Sequence, residues 1–416
     1  MGLFKKVGLV NQIIIAFVLA LVVGVIFGPQ AEIVKPLGTI FLRLIMFIIA
    51  PLVLSTLIVG MASTGSIHQL GRMGFKTMAY YLITTGIAVI IGLVLAFWIA
   101  PGKGIGTIKP TGEVPEGTAS MNFLDVLINI IPQNSITAMA ENNMLQIIFL
   151  AILIGIGITV VGKKADPVYN FFDGLAEVMM KLTSIIMKIV PIGVFGLLAP
   201  IIGIHGLDVI VPLLKLLLTV AIGCTIQYFV VYSTAVKGLG KMSPIQFFKG
   251  VMPATLMAFG TQSSSGTLPL TMKCAEEKLG VSNKVSSFVL PLGATVSMDG
   301  QAIYIAVSAI FTAQMFGVEL TFQQIVLIAL ISTIGSLGTA GVPGAGIIML
   351  TVALSTVNLP LEAIAIIAGI DRFLNMFSTA CNVTGDIACA VYVEAAEKRR
   401  LEKEEVPATS LDKVLI

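Results

Sequence analysis

The sequence is poor in charged residues. Only 11% of its 416 residues are Asp, Glu, Lys or Arg, whereas 56% are hydrophobic. Because soluble domains carry about 25% charged residues, a soluble fold could not hide this much apolar surface. The net charge is only +3, and basic residues do not alternate with aromatic ones as nucleic-acid binding would require. The composition predicts a polytopic membrane protein that does not bind nucleic acid.

Cysteine and histidine are also scarce. The two histidines, His68 and His205, fall at predicted loop ends, which argues against histidine-based catalysis and against a zinc site. The cysteines lie in apolar segments without a Cys-x-x-Cys or Cys/His spacing, so they are interpreted as thiols of the core. They are Cys224, Cys274, Cys381 and Cys389.

Long hydrophobic runs dominate the first part of the chain. Six segments hold about 20 or more apolar residues each, which is enough to cross a bilayer as a helix. They are residues 9–28, 38–62, 77–100, 125–161, 170–201 and 207–236. The first is too long for a signal peptide and no cleavage site follows it, so we interpret it as a membrane helix.

The Lys and Arg residues are distributed unequally between the loops. If the N-terminus is inside, the outer loops hold only Lys35, Lys103 and Lys109, and the other loop cations fall on the inner side. Cytoplasmic loops are richer in Lys and Arg. This pattern predicts a multi-pass protein of the plasma membrane with both termini in the cytoplasm.

Two later segments, 243–279 and 321–357, are apolar but are interrupted by small and polar residues at 260–266 and 338–346. Each half has about 11–17 residues, too few to cross a bilayer as a helix. A Gly/Ser/Pro tip within lipid would leave backbone groups unpaired unless protein buries it or it lines a cavity. Both segments are therefore predicted to be re-entrant helical hairpins.

Each predicted hairpin is followed by a full apolar span, 285–316 or 361–393, that contains acidic residues. The order hairpin–helix, hairpin–helix is typical of inverted repeats, whose interface holds a binding site near the middle of the bilayer. The predicted fold class is an all-α polytopic membrane protein with two re-entrant hairpins in inverted repeats.

The last span carries a polar stripe made of Asp371, Asn375, Ser378, Asn382 and Asp386. They lie 4, 3, 4 and 4 residues apart, so a helix places all of them on one face. A charged side chain at the centre of a membrane helix costs about 2.5–3.5 kcal/mol. The stripe is therefore predicted to line a buried site for an ion, a substrate or both.

The hairpin tips and the buried acids indicate which ligands such a site would take. The hydroxyls and backbone N–H groups of Ser263, Ser264 and Ser265, beside a helix N-terminus, suit a substrate carboxylate. Unwound carbonyl groups at the second tip suit a small hard cation. Asp299 and Asp386 are hard oxygen donors suited to Na⁺, and a protonated Asp would also fit a proton-coupled carrier.

Four stretches, taken in order, resemble the glutamate transporter homologue family, the dicarboxylate/amino acid:cation symporters. They are Ser263-Ser-Ser-Gly-Thr-Leu-Pro269, Leu290-Pro-Leu-Gly-Ala-Thr295 with Met298-Asp-Gly300, Gly338-Thr-Ala-Gly-Val-Pro-Gly-Ala-Gly346, and Asn382-Val-Thr-Gly-Asp386. The resemblance covers nearly the whole chain. It implies eight transmembrane helices plus two hairpins, a homotrimer in the lipid bilayer, and a transport domain that moves like an elevator.

The same resemblance implies a division of the chain into scaffold and transport parts, with the second hairpin as the outer gate. In chain order the parts are scaffold helices 1 and 2 (1–76), transport-domain helix 3 (77–100), an extracellular loop (101–124), scaffold and trimerisation helices 4 and 5 (125–201), the rest of the transport domain (202–393) and a cytoplasmic tail (394–416).

Carried over position by position, the resemblance implies three Na⁺ sites and one substrate site. The first cation site comprises Gly293, Asn382 and Asp386. The second comprises backbone oxygens of Thr295, Ser336, Leu337 and Thr339, and the third comprises Tyr81, Thr84, Thr85 and Asp299, with Ser297 in the adjoining motif. The substrate site comprises Ser263, Ser264, Ser265, Gln301, Gly341, Val342, Asn375, Ser378, Thr379 and Asn382.

Some positions depart from the family pattern. Asn375 stands where the family has the Asp that binds an amine, and Ser378 stands where it has the Arg that binds an acidic side chain; Gln262 and Ser297 replace a usual Arg and Asn. A buried unpaired charge costs about 3–5 kcal/mol. With Gln301 as a further polar neighbour, the predicted cargo of the Na⁺-coupled symport is a neutral amino acid or a small monocarboxylate.

Several alternatives stay open. A dicarboxylate or acidic amino acid symporter would need a rearranged cationic partner, for which Arg372 is a candidate. Arg372 lies six residues before Ser378 on a different helical face, so it is not a simple substitute, and its position beside Asp371 also suits an ion pair. Coupling to H⁺ would fit the same acids. An ion channel and an intramembrane protease fit less well, because gated hairpins suit alternating access and the motif at 383–386 lacks a protease partner. We predict that the protein is not an enzyme.

Overall fold

The structure is a computed structural model that describes residues 9–62, 67–103, 128, 131–141, 143–336 and 345–405. Its regular elements are helices, which confirms the predicted all-α class. The first nine α-helices are α1 (Leu9–Phe27), α2 (Lys35–Ala62), α3 (Ile67–Ile99), α4 (Ser135–Ala140), α5 (Met144–Val161), α6 (Asp166–Ile186), α7 (Val190–His205), α8 (Ile210–Ile226) and α9 (Tyr232–Gly238). Between them lie 3-10 turns at Gly28–Val34, Gly162–Ala165, Met187–Ile189 and Gly206–Val209, and a π-helical turn at Gln227–Val231.

The later helices are shorter and are interrupted more often. They are α10 (Pro244–Thr261), α11 (Ser264–Lys273), α12 (Asn283–Val296), α13 (Asp299–Phe316), α14 (Phe322–Ser336), α15 (Ala345–Thr356), α16 (Ala363–Ala368) and α17 (Asp371–Glu405), with a second π-helical turn at Cys274–Lys278.

Five stretches of the described residues are long and apolar enough to cross a membrane. They are Ile15–Ala62, Met73–Ile99, Gln146–Ile186, Ile210–Gly238 and Asn283–Phe316. The first begins within α1 and ends with α2, and large apolar side chains such as Trp98, which is 81% exposed, face outward. The chain is therefore a multi-pass membrane protein, while the count of eight spans and two hairpins stays a prediction.

The first predicted hairpin is a helix–turn–helix. Helix α10 ends at Thr261, Gln262 adopts a left-handed conformation with φ of 56°, and α11 begins at Ser264. The two helices pack against each other. In addition, α10 packs against α17, and α11 packs against α12. In the second predicted hairpin, α14 and α15 also pack together, but the expected tip lies outside the described residues.

The two acidic spans are both broken next to their acids. The span predicted at 285–316 is divided by an extended residue, Ser297, so that Asp299 opens α13. The span predicted at 361–393 is divided after Ala368, and Asp371 opens α17. Acidic residues are favourable in the first turn of a helix because of its dipole.

The helices pack as two groups. In one, α1 packs along α7, and α2 packs against α5, α6 and α7. In the other, α13 is the central helix and packs against α3, α8, α14 and α17. Every residue of α13 except Gln314 is buried, and small residues along it allow the close approach that membrane helices favour. The division into scaffold and transport domains stays a prediction.

Candidate functional site

The polar stripe of α17 is buried along its whole length. The exposed fraction is 6% or less for each of its five residues, from Asp371 to Asp386. All five lie within one helix, as their spacing predicted. Helices α10, α12 and α13 cover this helix. The stripe therefore faces protein, and its polar atoms must find partners there.

Asp299 lies at the centre of a cluster of neutral hydrogen-bond donors. Its Oδ1 atom accepts from the hydroxyls of Thr85 at 2.7 Å and Thr84 at 3.3 Å. Its Oδ2 atom accepts from Nε2 of Gln227 and the hydroxyl of Tyr232, both at 2.9 Å. None of the ion pairs within the described residues involves this carboxylate. The buried carboxylate is therefore stabilised by neutral donors, without a counter-ion in the described part of the chain.

Gln227 and Tyr232 are site residues that the sequence analysis missed. Both are fully buried and contact Asp299, although they lie in an apolar span far from the recognised motifs. The signal that could have found Gln227 is its amide within an otherwise apolar run, since a polar side chain inside a membrane span needs a partner. Tyr232 carries no comparable signal.

The predicted third cation site is only partly assembled around Asp299. Thr84 and Thr85 contact the carboxylate, whereas the hydroxyl of Tyr81 donates instead to the carbonyl oxygen of Val289 at 3.0 Å. Ser297 is buried at the C-terminal end of α12, two residues before Asp299. The Tyr81 hydroxyl therefore makes no hydrogen bond to Asp299 within the described residues.

Asp386 forms a second acidic pocket with Gly293. The Oδ1 atom of Asp386 is buried and has no hydrogen-bond partner in the described part of the chain. A Cβ atom built on Gly293 would lie 2.5 Å from this Oδ1 and 2.5 Å from the hydroxyl of Tyr81. The backbone of α12 thus approaches the carboxylate closely because position 293 has no side chain. An unpaired carboxylate oxygen of this kind suits a cation.

Asn382 and Ser378 fasten the start of α13 to α17. The backbone N–H of Gly300 donates to Oδ1 of Asn382 at 2.8 Å, and the Ser378 hydroxyl donates to the carbonyl oxygen of Gly300 at 3.0 Å. A Cβ atom on Gly300 would collide with the backbone of Ser378. The hydroxyl of Ser378 is fully buried and is used in this contact, so it does not offer a free donor to a substrate.

The tip of the first hairpin carries the predicted anion cradle. Ser263 caps α11 by accepting the N–H of Gly266 at 3.0 Å. Ser264 is buried and Ser265 is exposed. Arg372 of α17 reaches this tip, because its Nη1 atom donates to Oε1 of Gln262 at 3.1 Å. The expected ion pair between Arg372 and Asp371 does not form within the described residues.

The other predicted substrate residues lie near the start of α17. The hydroxyl of Tyr304 donates to Oδ1 of Asp371 at 3.1 Å, and Nδ2 of Asn375 donates to the Asp371 carbonyl at 3.0 Å. The Nε2 atom of Gln301 is buried and has no acceptor among the described residues. A Cβ atom on Gly346 would lie 2.6 Å from Nε2 of Gln301 and 3.2 Å from Oδ1 of Asn375, so the start of α15 closes over this polar group. Thr379, also buried, lies one turn further along α17.

The predicted second cation site lies largely outside the described residues. Leu337, Thr339, Gly341 and Val342 are not described, and Ser336 ends helix α14. Thr295 is exposed, and its hydroxyl donates to the carbonyl oxygen of Leu292 at 3.0 Å. This site and the substrate contacts of the second tip remain predictions.

Broken helices and buried acids between membrane spans are the features from which secondary transporters build their binding sites. The pattern that describes the sodium:dicarboxylate symporter family matches residues 9–396. The chain belongs to this family.

Three curated relatives illustrate the similarity. The chain is 36% identical over 413 residues to the proton/sodium-glutamate symport protein of Geobacillus stearothermophilus, covering 96% of this chain and 97% of that protein. It is 33% identical over 414 residues to the C4-dicarboxylate transport protein of Bacillus subtilis, covering 98% and 97%. It is 33% identical over 450 residues to excitatory amino acid transporter 3 of Mus musculus, covering 94% and 86%.

Proposed function

We propose that this protein is a Na⁺-coupled symporter that carries a small dicarboxylate or acidic amino acid across the plasma membrane. The family and the names of the relatives, which are glutamate and C4-dicarboxylate transporters, support this cargo. They favour the alternative hypothesis of the sequence analysis over a neutral solute. The observation that carries the proposal is the position of Arg372.

Arg372 supplies a cation where the predicted substrate site needs one. Its Nη1 atom reaches Gln262 at the tip of the first hairpin, beside the serines that are suited to a carboxylate. Its Nε atom is buried and has no hydrogen-bond partner among the described residues. A guanidinium with free N–H groups binds carboxylates well, because its planar donors match two carboxylate oxygens. Arg372 therefore binds the second carboxylate of the substrate, a role for which Ser378 is unsuited.

Na⁺ is the proposed coupling ion. The unpaired Oδ1 of Asp386 and the Asp299 cluster offer carboxylate, hydroxyl and carbonyl oxygens, which are the ligands of hard cations. One relative is a proton/sodium symporter by name, so coupling to H⁺ is the alternative. By analogy with the family we infer a homotrimer, an elevator movement of the group around α13, and both termini in the cytoplasm.

A neutral polar solute is the second candidate cargo. It is favoured by Gln301, whose buried Nε2 atom has no acceptor in the described part of the chain and would bind an uncharged oxygen. Under this candidate, Arg372 serves only to hold Gln262. The two candidates differ in which substrates are accumulated.

Uptake into proteoliposomes tests the proposal. With an inward Na⁺ gradient, we expect uphill accumulation of a labelled C4-dicarboxylate, glutamate or aspartate, and none in choline. Accumulation of neutral amino acids alone would refute the acidic cargo. Accumulation that ignores Na⁺ and follows a pH gradient would refute Na⁺ coupling, and flux without uphill accumulation would indicate a channel.

A further inference from the structure

Gln227 is a fully buried amide in a predicted membrane span. Its Nε2 atom donates to Oδ2 of Asp299 at 2.9 Å and to the backbone carbonyl oxygen of Thr84 at 3.1 Å. Its Oε1 atom is buried and accepts no hydrogen bond within the described residues. Native structures rarely leave a buried acceptor without a partner, so this oxygen requires an explanation.

A π-helical turn brings Gln227 to this position. The turn spans Gln227–Val231, and the N–H of Tyr232 donates to the carbonyl of Gln227. In an α-helix, residues five apart point about 140° away from each other, since each residue turns by about 100°. The wider π turn brings residues i and i+5 closer to one face, and such turns are frequent at functional sites. Both Gln227 and Tyr232 therefore reach Asp299.

The amide nitrogen of Gln227 bridges two oxygen atoms of the kind that bind hard cations. These are a carboxylate oxygen of Asp299 and a carbonyl oxygen of Thr84, and the hydroxyl of Thr85 lies on the other oxygen of the same carboxylate. Carboxylate and carbonyl oxygens are preferred ligands of small hard cations. An NH₂ group between them stands where a cation could make the same contacts.

We propose that Gln227 is a ligand of the coupling cation, with Oε1 as the ligand atom. The terminal torsion of a glutamine is broad and roughly two-fold, so the amide can turn over in place. Turning it presents Oε1 to the group formed by Asp299 and Thr84. That arrangement is stable only with a cation among the three oxygens, which would also give the unpaired Oε1 a partner. The inference rests on the proposed Na⁺ coupling.

Thermal unfolding of the purified protein tests this role without measuring transport. The midpoint is recorded over a range of NaCl concentrations, with choline chloride keeping the ionic strength constant. A ligand that binds only the folded protein raises the midpoint by mass action, so the wild-type midpoint should rise with Na⁺. A wild-type protein without this rise would refute Na⁺ coupling itself, independently of Gln227.

The variants then isolate the glutamine. We expect Gln227→Leu to need about 10- to 100-fold more Na⁺ for half of the shift, the range seen when groups that support a metal site are lost. Gln314→Leu is the matched control, since Gln314 is a part-buried amide of α13. Its Oε1 accepts from the N–H of Gly102 and its Nε2 donates to the carbonyl oxygen of Ala96, so it contacts neither Asp299 nor Asp386. The control should leave the Na⁺ dependence unchanged. An unchanged Na⁺ dependence in Gln227→Leu would overturn the proposal.

Gln227→Glu keeps the proposal testable if the leucine variant does not fold. It retains an oxygen at the ligand position and removes the NH₂ group that donates to Asp299. We expect a lower midpoint than wild type in choline and a larger rise on adding Na⁺. A purely structural amide would instead lower the midpoint equally in choline and in Na⁺, and that result would refute the assignment.

Discussion

The Nη1 atom of Arg372 donates a hydrogen bond of 3.1 Å to Oε1 of Gln262, which lies 110 positions earlier in the chain. This contact joins the first turn of α17 to the tip of the first hairpin. Gln262 can accept it because the left-handed conformation at this residue ends α10 and turns the chain toward Ser263. A cationic group is thus held beside the first hairpin tip by a neutral partner.

Replacing Arg372 should discriminate between acidic and neutral cargo. We expect Arg372→Ala to raise the half-saturating concentration of a dicarboxylate by about 10- to 150-fold, since a hydrogen bond to a charged group is worth about 1.5–3 kcal/mol. Arg372→Lys should recover only part of this, because an ammonium group cannot form the planar two-point contact. Concentration-dependent uptake into proteoliposomes measures both.

Arg43→Ala is the control for Arg372, because Arg43 is an exposed arginine of α2. It should leave the half-saturating concentration unchanged. If Arg372→Ala raises the half-saturating concentration of a monocarboxylate as much as that of a dicarboxylate, Arg372 does not bind the second carboxylate.

The sequence was most informative about residues that lie close together in the chain. The stripe from Asp371 to Asp386 is buried on one helix because residues three and four apart share a helical face. The first hairpin was expected from its polar interruption, whereas the span 285–316 was expected to be continuous and is divided at Ser297. The stripe and the first hairpin follow from local spacing and from the cost of polar groups in lipid.

Contacts between distant segments could not be predicted in the same way. Gln227 and Tyr232 share a face only because of a π-helical turn, which the apolar sequence around them does not reveal. The contact between Arg372 and Gln262 depends on how α10 packs on α17. The adjacent positions of Asp371 and Arg372 left an ion pair open, but the Asp371 side chain accepts from Tyr304 of another helix instead.

Gly293→Ala should disturb the pocket of Asp386. The added methyl group would lie 2.5 Å from both Oδ1 of Asp386 and the hydroxyl of Tyr81, so the carboxylate must move. Overpacking of this kind typically costs about 1–3 kcal/mol. We expect a lower thermal midpoint and a higher Na⁺ concentration for half of the Na⁺-dependent shift, both measured by thermal unfolding.

Gly86→Ala provides the matched control, because a Cβ atom at Gly86 would meet nothing within 4 Å. It lies in α3 next to Thr85, and removing a helical glycine is expected to be neutral or to stabilise by about 0.5–1 kcal/mol. Equal Na⁺ dependence in the two variants would mean that Asp386 is not a cation ligand.

Tyr304→Phe should expose the structural role of Asp371. The variant removes the only hydrogen bond that the carboxylate Oδ1 receives from another helix among the described residues. Leaving a buried acceptor unpaired costs about 1–3 kcal/mol, so the free energy of unfolding should fall by that amount. Tyr169→Phe, at a half-exposed tyrosine of α6, should change it little. Unfolding in denaturant measures both variants, and equal losses would refute the assignment.

Glu394 should make the stability of the protein depend on pH. Its Oε2 atom accepts from the backbone N–H of Ser282 at 3.0 Å and from the Ser282 hydroxyl at 2.6 Å. Ser282 immediately precedes α12, so a side chain of α17 satisfies the first free donor of that helix. Lys398 also pairs with Oε1 at 3.2 Å. Partial burial raises the pKa of Glu394, but the hydrogen bonds from Ser282 and the charge of Lys398 outweigh it and lower the pKa below its ordinary value of 4.5.

A carboxyl group whose pKa is lowered by folding stabilises the protein above its ordinary pKa, and this contribution is lost as the pH falls through the lowered pKa. Glu394→Gln keeps an acceptor for Ser282 but removes the charge. We therefore expect the variant to unfold at a lower temperature than wild type at pH 7, with a difference that shrinks as the pH falls below 4.5 toward the lowered pKa. Glu32→Gln, in an exposed pair with Lys35, should differ little from wild type at any pH. A difference for Glu394→Gln that stays constant with pH would mean that the charge of Glu394 does not hold α12 to α17.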